Sequence, residues 1–286
     1  MTTSAESFKY VCDLVRRRAA LVVEPGKEYL VDSRLGPIAK REGLDSIDAL
    51  VTKLRADDRG PLVGQVIEAM TTNETSFFRD VHPFEVLRTK LLPDMIKARA
   101  ATRSLRIWCA AASTGQEPYS IAMTIRHHFP ELAGWNVQIT ATDLNAAVLE
   151  RARTGIYRQL EVNRGLPAPM LIKYFDRIDA DWQIKADLRQ MITFQELNLL
   201  DRWPLSSAPD IVFMRNILIY FDVETKRAIL KRVRSTMRAD GFLVLGGAET
   251  TINIDDQFVS LRAGAASLVY QTKPAVLAGK EGRNAA

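Results

Sequence analysis

The stretch Leu105–Met123, LRIWCAAASTGQEPYSIAM, restricts the possible folds of this chain more than any other. The β-rich residues Leu105, Ile107 and Trp108 lead into Ala110-Ala111-Ala112-Ser113-Thr114-Gly115, and a helical pattern follows from Glu117-Pro118. Side chains this small let a ligand approach the backbone closely. Pro118 suits a first helical turn, where its missing N–H costs nothing. A buried strand, a bare turn and a helix make the first unit of an open α/β sheet, whose ligands settle at the carboxyl ends of the strands. The turn is expected to hold a nucleotide-like cofactor.

A dinucleotide would call for G-x-G-x-x-G, with glycines bringing a pyrophosphate onto the helix N-terminus. This turn has one glycine, and Glu117 stands where a phosphate would meet a carboxylate. A cation is welcome there and an anion is not. S-adenosylmethionine, with a sulfonium, an ammonium and no phosphate, fits that preference. Downstream, ITATDLN ends a second strand-like run at Asp143. A carboxylate at the end of a second strand takes ribose hydroxyls in the dinucleotide folds.

With 286 residues, the chain has room for two domains and a sizeable core. Its 47% apolar and 26% charged residues describe a soluble globular protein. Apolar runs such as Phe242–Leu245 are far too short to span a bilayer. The first ten residues lack the pattern of an export signal, so a cytoplasmic protein with no membrane insertion is expected. Cys12 and Cys109 stand alone, which suits a reducing compartment. Neither is spaced with His82, His127 or His128 as a metal ligand, so no metal is expected. The net charge of +5 is too diffuse for a nucleic-acid stripe, and nucleic acid is not an expected partner.

Residues 1–75 read as a helical domain. Phe8, Val11, Cys12 and Val15 mark one apolar face, and Ile47, Leu50, Val51 and Leu54 another. Arg16, Arg17 and Arg18 suggest a basic ridge. Lys27, Arg34 and Arg41 recur every seven residues and would align on one side of a continuous helix, although Gly36-Pro37 is expected to interrupt it. Thr71–Asp80 links this domain to residues 76–273, and Val81–Ala100 reads as one helix. Strands and helices then alternate, which implies a doubly wound, mostly parallel sheet. The segment QFVSLRAGAASLVYQT reads as a closing hairpin around Gly264. Between Ile156 and Phe194 the alternation breaks, and a small antiparallel β insertion is expected at about residues 160–192. The tail 274–286 reads as frayed.

AAASTGQEPYSIAM, taken with TTNETSFFRD at Thr71–Asp80, NLL at Asn198–Leu200 and RNILIYFD at Arg215–Asp222, resembles the chemotaxis-receptor glutamate O-methyltransferases, the CheR family. The resemblance runs from about Phe8 to Thr272. It implies a class I S-adenosylmethionine-dependent methyltransferase fold with an antiparallel terminal strand and an N-terminal all-α receptor-docking domain. It further implies action on chemoreceptor cytoplasmic helices, forming glutamate γ-methyl esters in sensory adaptation; a monomer is expected. By this resemblance Asn73, Thr75 and Arg79 reach over the cofactor from the linker, and Glu117 meets its amino group. Asp143 takes the ribose, Asn198 and Leu199 flank the adenine, and Arg215 and Asn216 line the methionine end. Arg79 and Tyr220 are the candidate catalytic residues.

Some members of the family grip a peptide tether at the receptor's C-terminus, and these carry a longer, glycine-containing turn in the insertion. Here Asp176–Asp181 is short and lacks glycine, so independence from the tether is expected. A glutamate with a reference pKa of about 4.3 is already ionised at neutral pH, so the acceptor needs no general base. That agrees with motifs containing no His-Asp or Ser-His pair. The competing readings are a class I methyltransferase acting on a small molecule or nucleic acid, and a silent module that senses the cofactor. For single residues the alternatives are also structural: Asn73 and Thr75 as helix caps, Arg79 with Asp80 as a surface pair, Asn198 as a turn residue, and Tyr220 with Phe221 as core.

Overall fold

A computed structural model describes residues 3–203, 205–261 and 269–273. Its main sheet contains β1 (Ser104–Ala110), β2 (Asn136–Asp143), β6 (Ile192–Glu196), β7 (Ile211–Met214), β8 (Phe242–Leu245), β9 (Phe258–Leu261) and β10 (Val269–Thr272). A second sheet contains β3 (Ile156–Arg158), β4 (Phe175–Ile178) and β5 (Asp181–Ile184). The main order is β6-β2-β1-β7-β8-β10-β9, and every pairing from β6 to β8 is parallel. β10 runs antiparallel to both β8 and β9. The chain therefore winds outward from β1 to β6, then crosses back to β7. Connections leave β1 and β7 in opposite directions, which opens a crevice at their carboxyl ends.

Parallel strands covered on both faces must be apolar at nearly every position, and β7 and β8 are buried at all four of theirs. Along β1, Leu105, Ile107 and Cys109 join the core beneath the helix Gln116–His128. Trp108 and Ala110 point the other way, into a core shared with the helix Val223–Thr236 and the N-terminal domain. Cys109 is thus an interior apolar residue, and Cys12 a partly buried one.

The N-terminal domain packs four helices: α1 (Ala5–Ala19), α2 (Glu28–Arg41), α3 (Ile47–Ala56) and α4 (Pro61–Met70). Ser4 and Ser46 cap α1 and α3 by accepting from backbone N–H groups three residues on. Val11, Val15, Ile47, Leu50 and Leu54 are fully buried, as their spacing predicts. α2 runs straight through Gly36-Pro37, contrary to the expected interruption. Pro37 removes one backbone bond, but Val31, Leu35, Ile38 and Ala39 bury the face on which the helix packs, and that burial outweighs the loss. The heptad of cations is not an outward stripe either. Lys27 precedes the helix and pairs with Glu24 at 2.9 Å. Arg34 donates to the Met70 carbonyl at 2.6 Å and to Thr72 Oγ1 at 3.0 Å, while Arg41 donates to Gln65.

The helix expected over Val81–Ala100 runs from His82 to Ala98, with a π turn at Leu87–Leu91. Pro93 has no N–H to continue an α ladder, and the wider turn just before it absorbs the defect. The insertion is a three-stranded antiparallel sheet, β3-β5-β4, that begins at Ile156, slightly before the expected 160. β4 and β5 join through Asp179-Ala180, with Asp179 at φ +52°. The hairpin of β9 and β10 forms as expected, but its turn at Gly264 and the tail 274–286 lie outside the described residues. Among these, no helix is long and apolar enough to cross a membrane.

At the amino ends of β1, β7 and β8, Arg99 donates from Nε to Asp210 at 2.6 Å and grips Asp240 with two bonds of 2.8 and 2.6 Å. Asp210 also accepts the Arg106 N–H at 2.7 Å. This clamp secures the end of the sheet remote from the crevice.

Candidate active site

The turn after β1 folds by alternating strain. Ala111, Ser113 and Gly115 have φ of +59°, +49° and +93°. Only glycine takes such angles freely, and a Cβ on Gly115 would stand 2.9 Å from Ala152 Cβ and 3.1 Å from Tyr157 Oη. The turn is secured from outside: Tyr157 donates to the Thr114 carbonyl at 2.7 Å, and Ser113 Oγ donates to the Asn73 carbonyl at 2.8 Å. The Ser113 N–H donates to Asp143 Oδ2 at 2.8 Å, and the Asn145 N–H donates to Oδ1 at 2.9 Å. Asp143 is thus fixed at the end of β2 with one backbone partner on each oxygen. Burial raises its pKa, and those N–H bonds oppose the rise.

All ten residues picked from the sequence line one cavity: Asn73, Thr75, Arg79, Glu117, Asp143, Asn198, Leu199, Arg215, Asn216 and Tyr220. Strand order arranges them. Arg215 and Asn216 follow β7, Ala111–Glu117 follow β1, Asp143 and Leu144 end β2, and Leu197 follows β6. Four adjacent strands spaced about 4.8 Å apart give the cavity a span of roughly 14 Å.

At the β7 end, the Arg215 side chain is 2% exposed and pairs with Glu117 at 2.9 Å and Asp80 at 2.7 Å. The Arg79–Asp80 surface pair therefore does not exist; Asp80 turns inward to Arg215. Glu117 is likewise engaged rather than free. Its pKa is raised by burial, against the pull of Arg215. Arg215 Nε is a buried donor with no partner among the described residues. Among the described residues Arg79 donates only to the Glu74 carbonyl, at 2.8 Å. The linker that carries it is pinned by Phe77, whose ring meets Tyr157 and Phe175 edge-on, and by the Phe78 N–H donating to Ser120 Oγ at 2.9 Å. Gly165 lets that linker pass, since a Cβ there would meet the Phe77 carbonyl oxygen at 2.1 Å. No side-chain cap from Asn73 or Thr75 starts the next helix.

At the β6 end, Leu197, Leu199 and Leu144 make an apolar wall that Ala19 and Leu21 complete from the N-terminal domain. Asn198 is a turn residue as well as a lining one: its amide donates to the Arg18 carbonyl at 2.6 Å and accepts from the Leu200 N–H. Trp203, set against Trp108 at 4.8 Å between ring centroids, anchors this turn on β1.

Sequence reasoning missed Ala19, Leu21 and Glu249. Ala19 ends an ordinary amphipathic helix and Leu21 follows it, and neither carries a signal. Glu249 lies outside the cavity lining, but it is buried and accepts N–H bonds from the Asn216–Leu218 segment.

These residues suit a ligand with an adenosine at one end and a charged amino acid at the other. Buried Arg215 Nε offers a donor for a carboxylate, Asp143 keeps a lone pair on each oxygen for hydroxyls, and the leucines offer an apolar slot. Comparison with known proteins agrees. Residues 73–266 match the family described as "CheR methyltransferase, SAM binding domain", and residues 6–71 match "CheR methyltransferase, all-alpha domain". The Chemotaxis protein methyltransferase Cher2 of Pseudomonas putida is 38% identical over 96% of this chain and 100% of its own length. Chemotaxis protein methyltransferase 1 of Pseudomonas aeruginosa is 39% identical over 96% and 100%. The corresponding Vibrio parahaemolyticus protein is 37% identical over 96% and 99%. With both domains matched in order and relatives aligned end to end, the chain belongs to the CheR family of S-adenosylmethionine-dependent chemotaxis protein methyltransferases.

Proposed function

We propose that this protein methylates glutamate side-chain carboxylates on chemoreceptor cytoplasmic helices, giving γ-methyl esters that serve sensory adaptation. The observation that carries the proposal is the makeup of the cavity. Among the described residues its lining holds two arginines, three carboxylates, three asparagines and a tyrosine, but no histidine, lysine or cysteine to act as a base. An amine or hydroxyl acceptor would gain from such a base; an ionised glutamate needs none.

S-adenosylmethionine, when bound, supplies an electrophilic methyl group on a sulfonium. The chain's own work is alignment and exclusion of water. Arg215 Nε and Asn216 hold the amino-acid end, with Glu117 as the acceptor for its ammonium. Asp143 holds the ribose, and Leu199 and the Asn198 backbone flank the adenine. Asn73 and Thr75 cover the cavity from the linker. Arg79, whose guanidinium donates to the Glu74 backbone carbonyl, orients the incoming carboxylate, and Tyr220 fixes its approach. A tight grip on the attacking oxygens would dull them, so orientation is the arginine's contribution. The α1–α4 domain docks the receptor, with the enzyme a cytoplasmic monomer. The two-residue turn between β4 and β5 supports action without a receptor peptide tether.

Incubation with radiolabelled donor and receptor tests the reaction. Label released as methanol in mild base supports an ester. Label that survives base shows transfer to nitrogen, and refutes the proposal.

A further inference from the structure

The loop between β7 and the helix Val223–Thr236 carries Arg215, Asn216 and Tyr220, yet little in its own sequence fixes its path. Asn216 sits at φ +57°, a left-handed angle that costs a non-glycine residue energy. Four consecutive N–H groups, from Asn216 to Ile219, open a short 3₁₀ turn at Leu218–Tyr220 and find no carbonyl within it. Glu249 answers all four. Its Oε2 accepts from Asn216 at 2.8 Å and from Gly246 at 2.7 Å. Its Oε1 accepts from Ile217 at 2.9 Å, Leu218 at 2.7 Å and Ile219 at 3.4 Å. The residue is 7% exposed. A Cβ on Gly246 would lie 2.7 Å from the carboxylate and 2.9 Å from the Asn216 nitrogens, so the glycine keeps this approach open.

We infer that Glu249 is a positioning residue of the active site: without touching donor or acceptor, it sets where Asn216 and Tyr220 stand. The inference rests on the roles proposed above for those two residues. A carboxylate is the only neutral-pH side chain that can accept from all five donors, because both its oxygens are acceptors. Glutamine has the same size and shape but offers one oxygen and one NH₂ group. Whichever way the amide turns, its NH₂ faces at least two backbone N–H groups and repels them. The loop must then leave its left-handed turn, and Tyr220 moves with it.

The test compares wild type with Glu249→Gln in three measurements. Hydrogen exchange of amides 216–219 should quicken about tenfold while the Arg99 end of the sheet is unchanged. The affinity for S-adenosylhomocysteine should fall about threefold. Turnover per folded molecule should fall about tenfold at saturating donor, so that kcat suffers more than binding. A purely structural carboxylate would lower Tm and leave kcat per folded molecule intact, and that result overturns the inference. If wild type binds the product but esterifies no receptor, the proposed reaction fails on its own. Exchange and product affinity then decide: both altered upholds the positioning role, and either one unaltered removes it.

Discussion

Gly115 offers the sharpest test of how the turn after β1 is built, because a second glycine supplies its control. Gly115 has φ +93°, and an added Cβ would meet Ala152 Cβ at 2.9 Å, Tyr157 Oη at 3.1 Å and Tyr119 Cε2 at 3.2 Å. Gly26 has nearly the same angle, φ +86°, with nothing within 4 Å. Gly26→Ala therefore reports the backbone cost alone, about 1–2 kcal/mol. Gly115→Ala adds overpacking against three buried groups, about 1–3 kcal/mol more, for a total of roughly 2–5 kcal/mol. Urea unfolding followed by circular dichroism and by tryptophan fluorescence measures both, with unchanged slopes as the condition for comparing midpoints. S-adenosylhomocysteine affinity should fall for Gly115→Ala and hold for Gly26→Ala. Equal destabilisation by the two substitutions would refute the claim that crowding, and not the angle alone, reserves this position for glycine.

Other outcomes follow from the charged groups. Arg99→Met leaves Asp210 buried without its main partner and should cost about 3–5 kcal/mol. Calorimetry should show the lower Tm, with product affinity unchanged because the clamp lies at the far end of the strands. Donor binding should weaken on the acid side. Glu117 and Asp143 both have pKa values raised by burial, so protons compete with a cationic donor beginning above the usual carboxylate range of about 4. Titration of donor affinity against pH should show that loss, and Glu117→Gln should flatten it. Asp222 moves oppositely. The Thr225 N–H, with Arg16 at 2.9 Å, holds its pKa at about 2. Its contribution to stability is full above the unfolded value of about 3.9 and disappears as pH falls through the folded one. Asp222→Asn keeps a helix cap but loses the ion pair, so its urea midpoint should approach that of wild type as pH drops.

How much of this was legible in the chain depended on distance along it. Strand and helix positions were readable because each is set by a local period: β1, β2, β7 and β8 fall within two residues of where the apolar runs place them. Glu117 and Asp143 were readable because the strand order of an α/β sheet brings strand ends together whatever else varies, whereas the other lining residues, the linker's Asn73, Thr75 and Arg79 among them, came from the family resemblance. Pairing across the sheet was not. Nothing local says that Arg215 reaches Glu117 and Asp80, or that Asp80 turns away from the arginine beside it. The period-seven cations misled for a related reason. Spacing places residues on one side of a helix, but only the neighbouring helix decides whether that side faces water. For Arg34 it faces the end of α4, and the guanidinium closes off the Met70 carbonyl instead of greeting a partner.

The arrangement around Arg215 also bears on why the donor's charge does not oppose its own reaction. A sulfonium held by a lone buried carboxylate would be stabilised most before transfer, and that stabilisation would have to be given up as the charge disappears. Here Glu117 is already paired at 2.9 Å and Asp80 at 2.7 Å, both to the same guanidinium. The guanidinium offsets one of the two carboxylates, so the cluster binds polar groups by hydrogen bonds with a weaker field on the sulfur than two unpaired carboxylates would impose. Glu117→Gln should on this account weaken donor binding through its lost acceptor while raising kcat relative to that loss. Arg215→Met, which uncovers two carboxylates and removes a contact to the donor, should do the reverse: kcat should fall by a larger factor than donor affinity. Single-turnover rates at saturating donor, compared with equilibrium affinities, separate the two effects. If both substitutions lower rate and affinity in the same proportion, the cluster serves binding alone.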